Sequence, residues 1–133
     1  MKKFAALLLL TLFGSCATGP PTAEEFAAAD YGTPISQADA ESQAEAWLAS
    51  YLKDPSSAEK QWKPVGQGWL RDAPIYGGSI HWGYKLDGEI NAKNSYGGFT
   101  GFKSYSFMFH NGQIQTIYGD QRMGDNIVFA RIK

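Results

Sequence analysis

The chain has 133 residues, with 12 Lys plus Arg against 13 Asp plus Glu, two His and one Cys. That length fits one ordinary domain and excludes a multidomain enzyme. At 44% hydrophobic and 14% aromatic the chain is too apolar to stay disordered throughout, and its near-neutral charge leaves no basic excess for a nucleic-acid partner.

Lys2 and Lys3 open a basic segment, and residues 4–13 form an apolar stretch too short to cross a bilayer core as a helix. Together they read as an export signal. A buried helix of a cytosolic domain is the plainer alternative, but it would run at once into the breaker string Gly19-Pro20-Pro21. The stretch ends in Phe13-Gly14-Ser15-Cys16, which resembles the lipobox of bacterial lipoproteins, where a cysteine after two small residues becomes a diacylated N-terminus. Phe13 stands where Leu is usual, and Ser15-Cys16-Ala17 also satisfies the small-x-small rule, so ordinary signal cleavage stays open. The resemblance implies lipid attachment at Cys16 and a membrane partner reached through that lipid, each buried methylene contributing about 0.8 kcal/mol. Ala17, where lipoproteins retained at the inner membrane usually carry Asp, implies the outer membrane and its periplasmic face. No cysteine follows Cys16, so the rest of the chain has no thiolate nucleophile, internal disulfide or Cys-rich zinc site.

Residues 16–34 are small, polar and broken by Gly19, Pro20, Pro21, Gly32 and Pro34, and read as a flexible tether. As a coil such a segment spans roughly 23 Å, with Phe26 and Tyr31 as its docking residues. The spacing then predicts a helix over residues 36–53. Ser36 and Asp39 resemble a capping box, Ile35 and Ala40 can staple it, and Ala40, Ala44, Trp47, Leu48, Tyr51 and Leu52 make one apolar stripe. Asp54-Pro55 ends it.

The remainder reads as antiparallel β-structure, with a first strand over residues 59–64 and a last over 127–132. Between them, Ile80, Trp82, Tyr84, Leu86, Ile90 and Ala92 fall on even positions with Gly88 the one gap, which predicts a single long strand bent or bulged near Gly88. A tight turn at Asp87-Gly88 is rejected because it would mix apolar and polar residues on each face. Asn111-Gly112 predicts a type I′ turn that pairs Phe109 with Ile114, Phe107 with Thr116 and Tyr105 with Tyr118. The expected fold class is α+β: one N-terminal helix packed on an antiparallel sheet of four to five strands, in a single domain over residues 35–133.

Residues 52–62 read LKDPSSAEKQW and residues 91–101 read NAKNSYGGFTG. Together they resemble a group of small secreted or lipid-anchored bacterial proteins carrying LKDPxSA and NAKNxxGG motifs. The resemblance implies a shared α+β fold and supplies no reaction.

Two groups of binding candidates stand out. Trp69, Arg71 and Tyr76 lie in a long connection rich in Gly and Pro, and suit a protein or glycan surface unless these aromatics close one end of the core. Asn91, Lys93 and Asn94 precede Tyr96-Gly97-Gly98, whose amides can surround an anion. That segment lacks the ending of a phosphate loop, and its plainer reading is a turn with Asn94 and the glycines at positive φ. His81 and His110 sit diagonally on outward faces, but two ligands without a cysteine or an acid cluster do not make a metal site. Asp87 and Glu89 beside Lys85 read as a charged stripe, and Ser79, Ser104 and Ser106 as ordinary strand residues. No metal, cofactor or catalytic residue is expected. The expected role is a non-catalytic binding or structural module of the cell envelope, with an envelope protein or glycan as partner. An inhibitor or immunity lipoprotein acting on an envelope-attacking hydrolase, and a small periplasmic enzyme, are the alternatives.

Overall fold

The computed structural model describes residues 19–133, so the expected export signal and Cys16 lie outside the described residues. The elements in chain order are α1 (Ala23–Ala27), α2 (Gln37–Tyr51), β1 (Asp54–Trp62), β2 (Gly66–Arg71), a 3₁₀ turn (Pro74–Tyr76), β3 (Ile80–Lys93), β4 (Lys103–His110), β5 (Gln113–Met123) and β6 (Asn126–Arg131). Every pairing is antiparallel. β1 and β2 share one edge of β3, beyond whose other edge β4, β5 and β6 follow in order. The fold is α+β, with two corrections. The sheet has six strands rather than four to five, and the main helix is not N-terminal, because α1 precedes it. The extra strand is β2, in the stretch taken for a long connection. Gly66 and Gly68 blank its alternation, and Gly68 is the position over which the Lys85 side chain lies, its Cβ 3.1 Å from where a glycine Cβ would stand.

α2 starts where expected: the Asp39 amide donates to Ser36 Oγ at 3.1 Å. Ala40, Ala44 and Leu48 form its buried line and pack on Leu86, Ile90, Tyr105, Phe107, Phe109 and Ile117. Two alanines in that line let the helix approach the sheet closely. At about 1.5 Å per residue the 15 residues of α2 reach roughly 22 Å, whereas the 14 residues of β3 at about 3.3 Å reach roughly 46 Å. The helix therefore covers Leu86 and Ile90 but not the whole even face. Trp82 is covered instead by the N-terminal segment, with Phe26 and Tyr31 set edge-on to its ring at 5.4 and 5.6 Å. Trp47 and Tyr51, expected as core, stack on each other at 4.4 Å along the helix flank, and Tyr51 stays 44% exposed.

β3 is continuous through Gly88, as the parity of its side chains predicts, and its register with β4 runs unbroken across that residue. The glycine serves a different purpose from a bulge. It pairs with Trp62, whose ring would lie 2.4 Å from any Cβ at position 88. Trp62 Nε1 is buried without a hydrogen-bond partner, so this packing is kept despite an unmet donor worth about 1–3 kcal/mol. The irregularity in that region belongs to β1, between Asp54 and Glu59.

The type I′ turn is present, with Asn111 at φ 51° and Gly112 at φ 78°, and Phe109 pairs with Ile114. Beyond that pair a bulge shifts the register by one residue. Phe107 faces Ile117 instead of Thr116, and Tyr105 faces Gly119 instead of Tyr118. The shift puts apolar Ile117 in the helix-side core and sends Thr116 and Tyr118 to the opposite face.

The segment read as a flexible tether is seated on the domain over residues 19–34. Thr22 caps α1 in a reciprocal box with Glu25, and Arg71 donates to the Gly19 carbonyl at 2.9 Å and to Glu25 at 3.0 Å. Further along, the Thr33 amide donates to Asn111 Oδ1 at 3.0 Å, and Asp30 lies 3.6 Å from His110. The pairing of Trp82 with aromatic residues of that segment is what the open half of β3 demands.

Leu86 is fully buried, whereas Lys85 on the other face is paired at 3.4 Å with Asp87. Leu86→Ala is expected to cost roughly 2–5 kcal/mol in urea unfolding, and Lys85→Ala about 0.5 kcal/mol or less. Equal losses from the two substitutions would contradict the assignment of faces.

Candidate functional site

A concavity of about 940 Å³ follows the edge of β2 that faces away from β3. Strand alternation gives it two kinds of wall. Trp69 and Arg71 point to the face shared with Trp82, while Leu70 and Asp72 point to the face shared with His81 and Tyr118. Pro20, Phe26 and Tyr31 of the N-terminal segment form the outer rim, and Phe129 of β6 the far one.

Asp72 is the chemical centre of this concavity. Only 4% of its surface is exposed, and its carboxylate receives three donors. Tyr118 donates its hydroxyl to Oδ1, while His81 Nε2 and Arg131 Nη1 reach Oδ2 at 2.9 and 3.1 Å. These residues come from the end of β2 and from β3, β5 and β6. β3 and β4 intervene between β2 and β5, so the sheet must curl strongly to bring Asp72 onto Tyr118. Leu70, Met108 and Tyr118 form a second small apolar cluster within that curl. Gly83 makes the curvature possible, because a Cβ there would lie 2.1 Å from the Phe109 carbonyl oxygen.

Burial works to raise the Asp72 carboxyl, but hydrogen bonds from Tyr118 and His81 and the charges of His81 and Arg131 more than offset it, holding the group below its ordinary value of 3.8. Burial pushes the Tyr118 hydroxyl upward, and the adjacent Asp72 pushes it further, so it remains a donor throughout the neutral range. An ionised Asp72 only accepts, so the ring nitrogen facing it, His81 Nε2, is the donor. Among the described residues no Ser, Thr or Tyr hydroxyl bonds to the other ring nitrogen, Nδ1, and no group of three or more His, Cys, Asp and Glu comes together. The arrangement is that of a fixed, neutralised carboxylate beside an aromatic groove, suited to ordering one wall of a binding surface.

The sequence candidates separate. Trp69 and Arg71 line the groove, but the Arg71 side chain is 8% exposed and fully engaged, donating to Gly78 O at 2.9 Å besides Gly19 and Glu25. It positions the rim. Tyr76 stands 69% exposed on the 3₁₀ turn, bordering a separate smaller concavity with Arg131 and Lys133. Asn91, Lys93 and Asn94 lie at the opposite end of β3, with Asn91 roughly 26 Å further along than Gly83 at about 3.3 Å per residue. There the expected anion cradle is already filled by the chain. Asn91 Oδ1 accepts from Gly101 N at 3.0 Å, Asn94 Oδ1 from Tyr96 N at 2.9 Å and Gly98 N at 3.2 Å, and Lys93 sits 5.3 Å over the Phe99 ring. Asn94 does not take positive φ; Gly97 and Gly101 do. Lys93 and Asn94 also border a 420 Å³ hollow beside Tyr105 and Asp120. His81 and His110 are drawn apart by different acids, Asp72 and Asp30.

Sequence reasoning missed Asp72, Tyr118 and Arg131. Tyr118 was assigned to the wrong face because the bulge in β5 has no glycine or proline to announce it, and Asp72 because it follows a strand that glycines concealed. No family model, no curated protein and no solved structure matches this chain.

Asp72→Asn is expected to lower stability at pH 7 by about 1–3 kcal/mol, since it leaves Arg131 and His81 without their anion. The sign with pH follows from the lowered carboxyl. Asp72 contributes in full above the ordinary carboxylate range, and its contribution is lost as pH falls through the depressed folded value. Urea unfolding of both proteins at neutral pH and near pH 3 is expected to show the difference shrinking on the acid side.

Proposed function

We propose that this chain is a lipoprotein of the outer membrane, held at the periplasmic face by a lipid on Cys16, and that its α+β domain is a non-catalytic module binding an envelope protein or glycan. The reading rests on the sequence up to Cys16 together with the seat of the N-terminal segment. Two residues, Ala17 and Thr18, separate Cys16 from Gly19, a span of at most about 11 Å, and the Gly19 carbonyl is tied to Arg71 at the rim of the β2 groove. A lipid on Cys16 therefore brings that groove to the headgroup surface, oriented by the domain's own contacts. This proximity is the observation that carries the proposal. The groove itself supports binding over chemistry. Its aromatic residues Phe26, Tyr31, Trp69 and Phe129 offer flat faces, and its one buried carboxylate is already saturated by three donors.

Intact-mass measurement of membrane-extracted protein is expected to give a diacylglycerol-bearing Cys16, and Cys16→Ala to release the protein from the membrane fraction. A soluble mature chain beginning after position 16 would overturn the anchor. For the binding half, a photocrosslinking residue at position 69 is expected to capture one envelope component reproducibly, and the same residue at position 96, exposed in the distant loop, to capture none of it. Equal capture from both positions would overturn the groove.

A further inference from the structure

β6 ends the sheet, and its outer edge has no neighbour among the described residues. The strand carries Ile127 at 73% exposed, Val128 at 39% and Phe129 at 44%, with none of the lysines, prolines or bulges that usually blunt an edge. Gly124 and Asp125 form the two-residue turn between the paired Met123 and Asn126, so Asn126 directs its N–H and C=O toward β5. Ile132 does the same, its N–H donating to Ile117 O at 2.7 Å. By alternation, the backbone groups of Ile127 and Phe129 face the open edge.

Charge names the occupant of that edge. Asp125 stands exposed at one end with no ion pair among the described residues. Arg131 stands at the other, its side chain 45% exposed beyond its contact with Asp72. An acid before the strand and a base at its end complement the same strand read in the opposite direction. We propose that β6 pairs antiparallel with β6 of a second copy of this chain, about a twofold axis at Val128. Outward-facing backbone meets outward-facing backbone only when odd positions stand opposite odd positions. Among those registers, the axis at Val128 sets Asp125 against Arg131 twice and Ile127 against Phe129 twice, so the apolar pairs lie at the centre and the charges at the ends. The contact uses one patch on both copies and closes on itself.

The test uses the full chain carrying Cys16→Ala, in which an introduced cysteine is the one thiol. Val128→Cys places its two Cα atoms about 4.5 Å apart across the axis in a non-hydrogen-bonded pair, within the range a disulfide spans. Mild oxidation is expected to give a reducible dimer. Ile127→Cys, which faces Phe129 and not itself, is expected to crosslink far less. Adding Asp125→Lys turns both end pairs repulsive and is expected to weaken the dimer about tenfold, read by sedimentation velocity on the unoxidised chain. Near-UV circular dichroism checks that this exposed-turn substitution keeps the fold; if it does not, Asp125→Asn removes the attraction alone and is expected to weaken the dimer about threefold. A monomer in sedimentation, equal crosslinking from positions 127 and 128, or indifference to the charge at position 125 overturns the proposal.

Discussion

The dimensions of α2 and β3 govern this molecule. A strand of roughly 46 Å presents an apolar face that a helix of roughly 22 Å cannot cover, and half of that face must find something else. The chain supplies it from its own N-terminal side, laying Phe26 and Tyr31 on Trp82 and fixing them through Arg71. The helix-side core and the N-terminal rim are thus two solutions to one geometric shortfall. The groove beside β2 is the space left where the second solution is made of a short helix and irregular chain rather than a packed layer.

The bulge between the Phe109 and Met108 pairings has comparable reach. Without it Tyr118 would share the helix face with Tyr105, Asp72 would lose its closest donor, and Ile117 would be turned away from Phe107. One extra residue in β5 therefore separates two environments on the same sheet: an aromatic-aliphatic core under α2, and a mixed polar cluster on the other side. Gly83 and Gly88 complete the separation by admitting backbone and ring where a side chain would collide.

These particulars explain what was legible in the sequence. α2 was readable because its cap, its stripe and its stop are local, and β3 because its alternation survives one glycine. The I′ turn was readable because Asn-Gly carries its own dihedral preference. β2 was hidden, since glycines at alternate positions leave strand periodicity with nothing to mark it. The seat of residues 19–34 was legible in part: Phe26 and Tyr31 stand out as docking residues, whereas Gly, Pro and small polar residues describe a segment's freedom when isolated and say nothing of an arginine 52 residues beyond Gly19 that binds its carbonyl. The groove residues Trp69 and Arg71 were visible as types, whereas Asp72, Tyr118 and Arg131 assemble only through the curl of the sheet and the parity shift in β5.

Arg71 also decides how the domain meets a pull. Its guanidinium grips the Gly19 carbonyl and the Glu25 carboxylate on one side and Gly78 O on the other, and it is the last residue of β2. Tension applied at the N-terminal side is therefore taken up at residue 19 and passed into the β2–β3 ladder, before any of it arrives at α2. The rings set edge-on to Trp82 lie behind that grip and act as a second stage, released only once the arginine has let go. In mechanical terms the chain has a strain-relief clamp at residue 19, and of the described residues the helix-covered core is the last part to bear load.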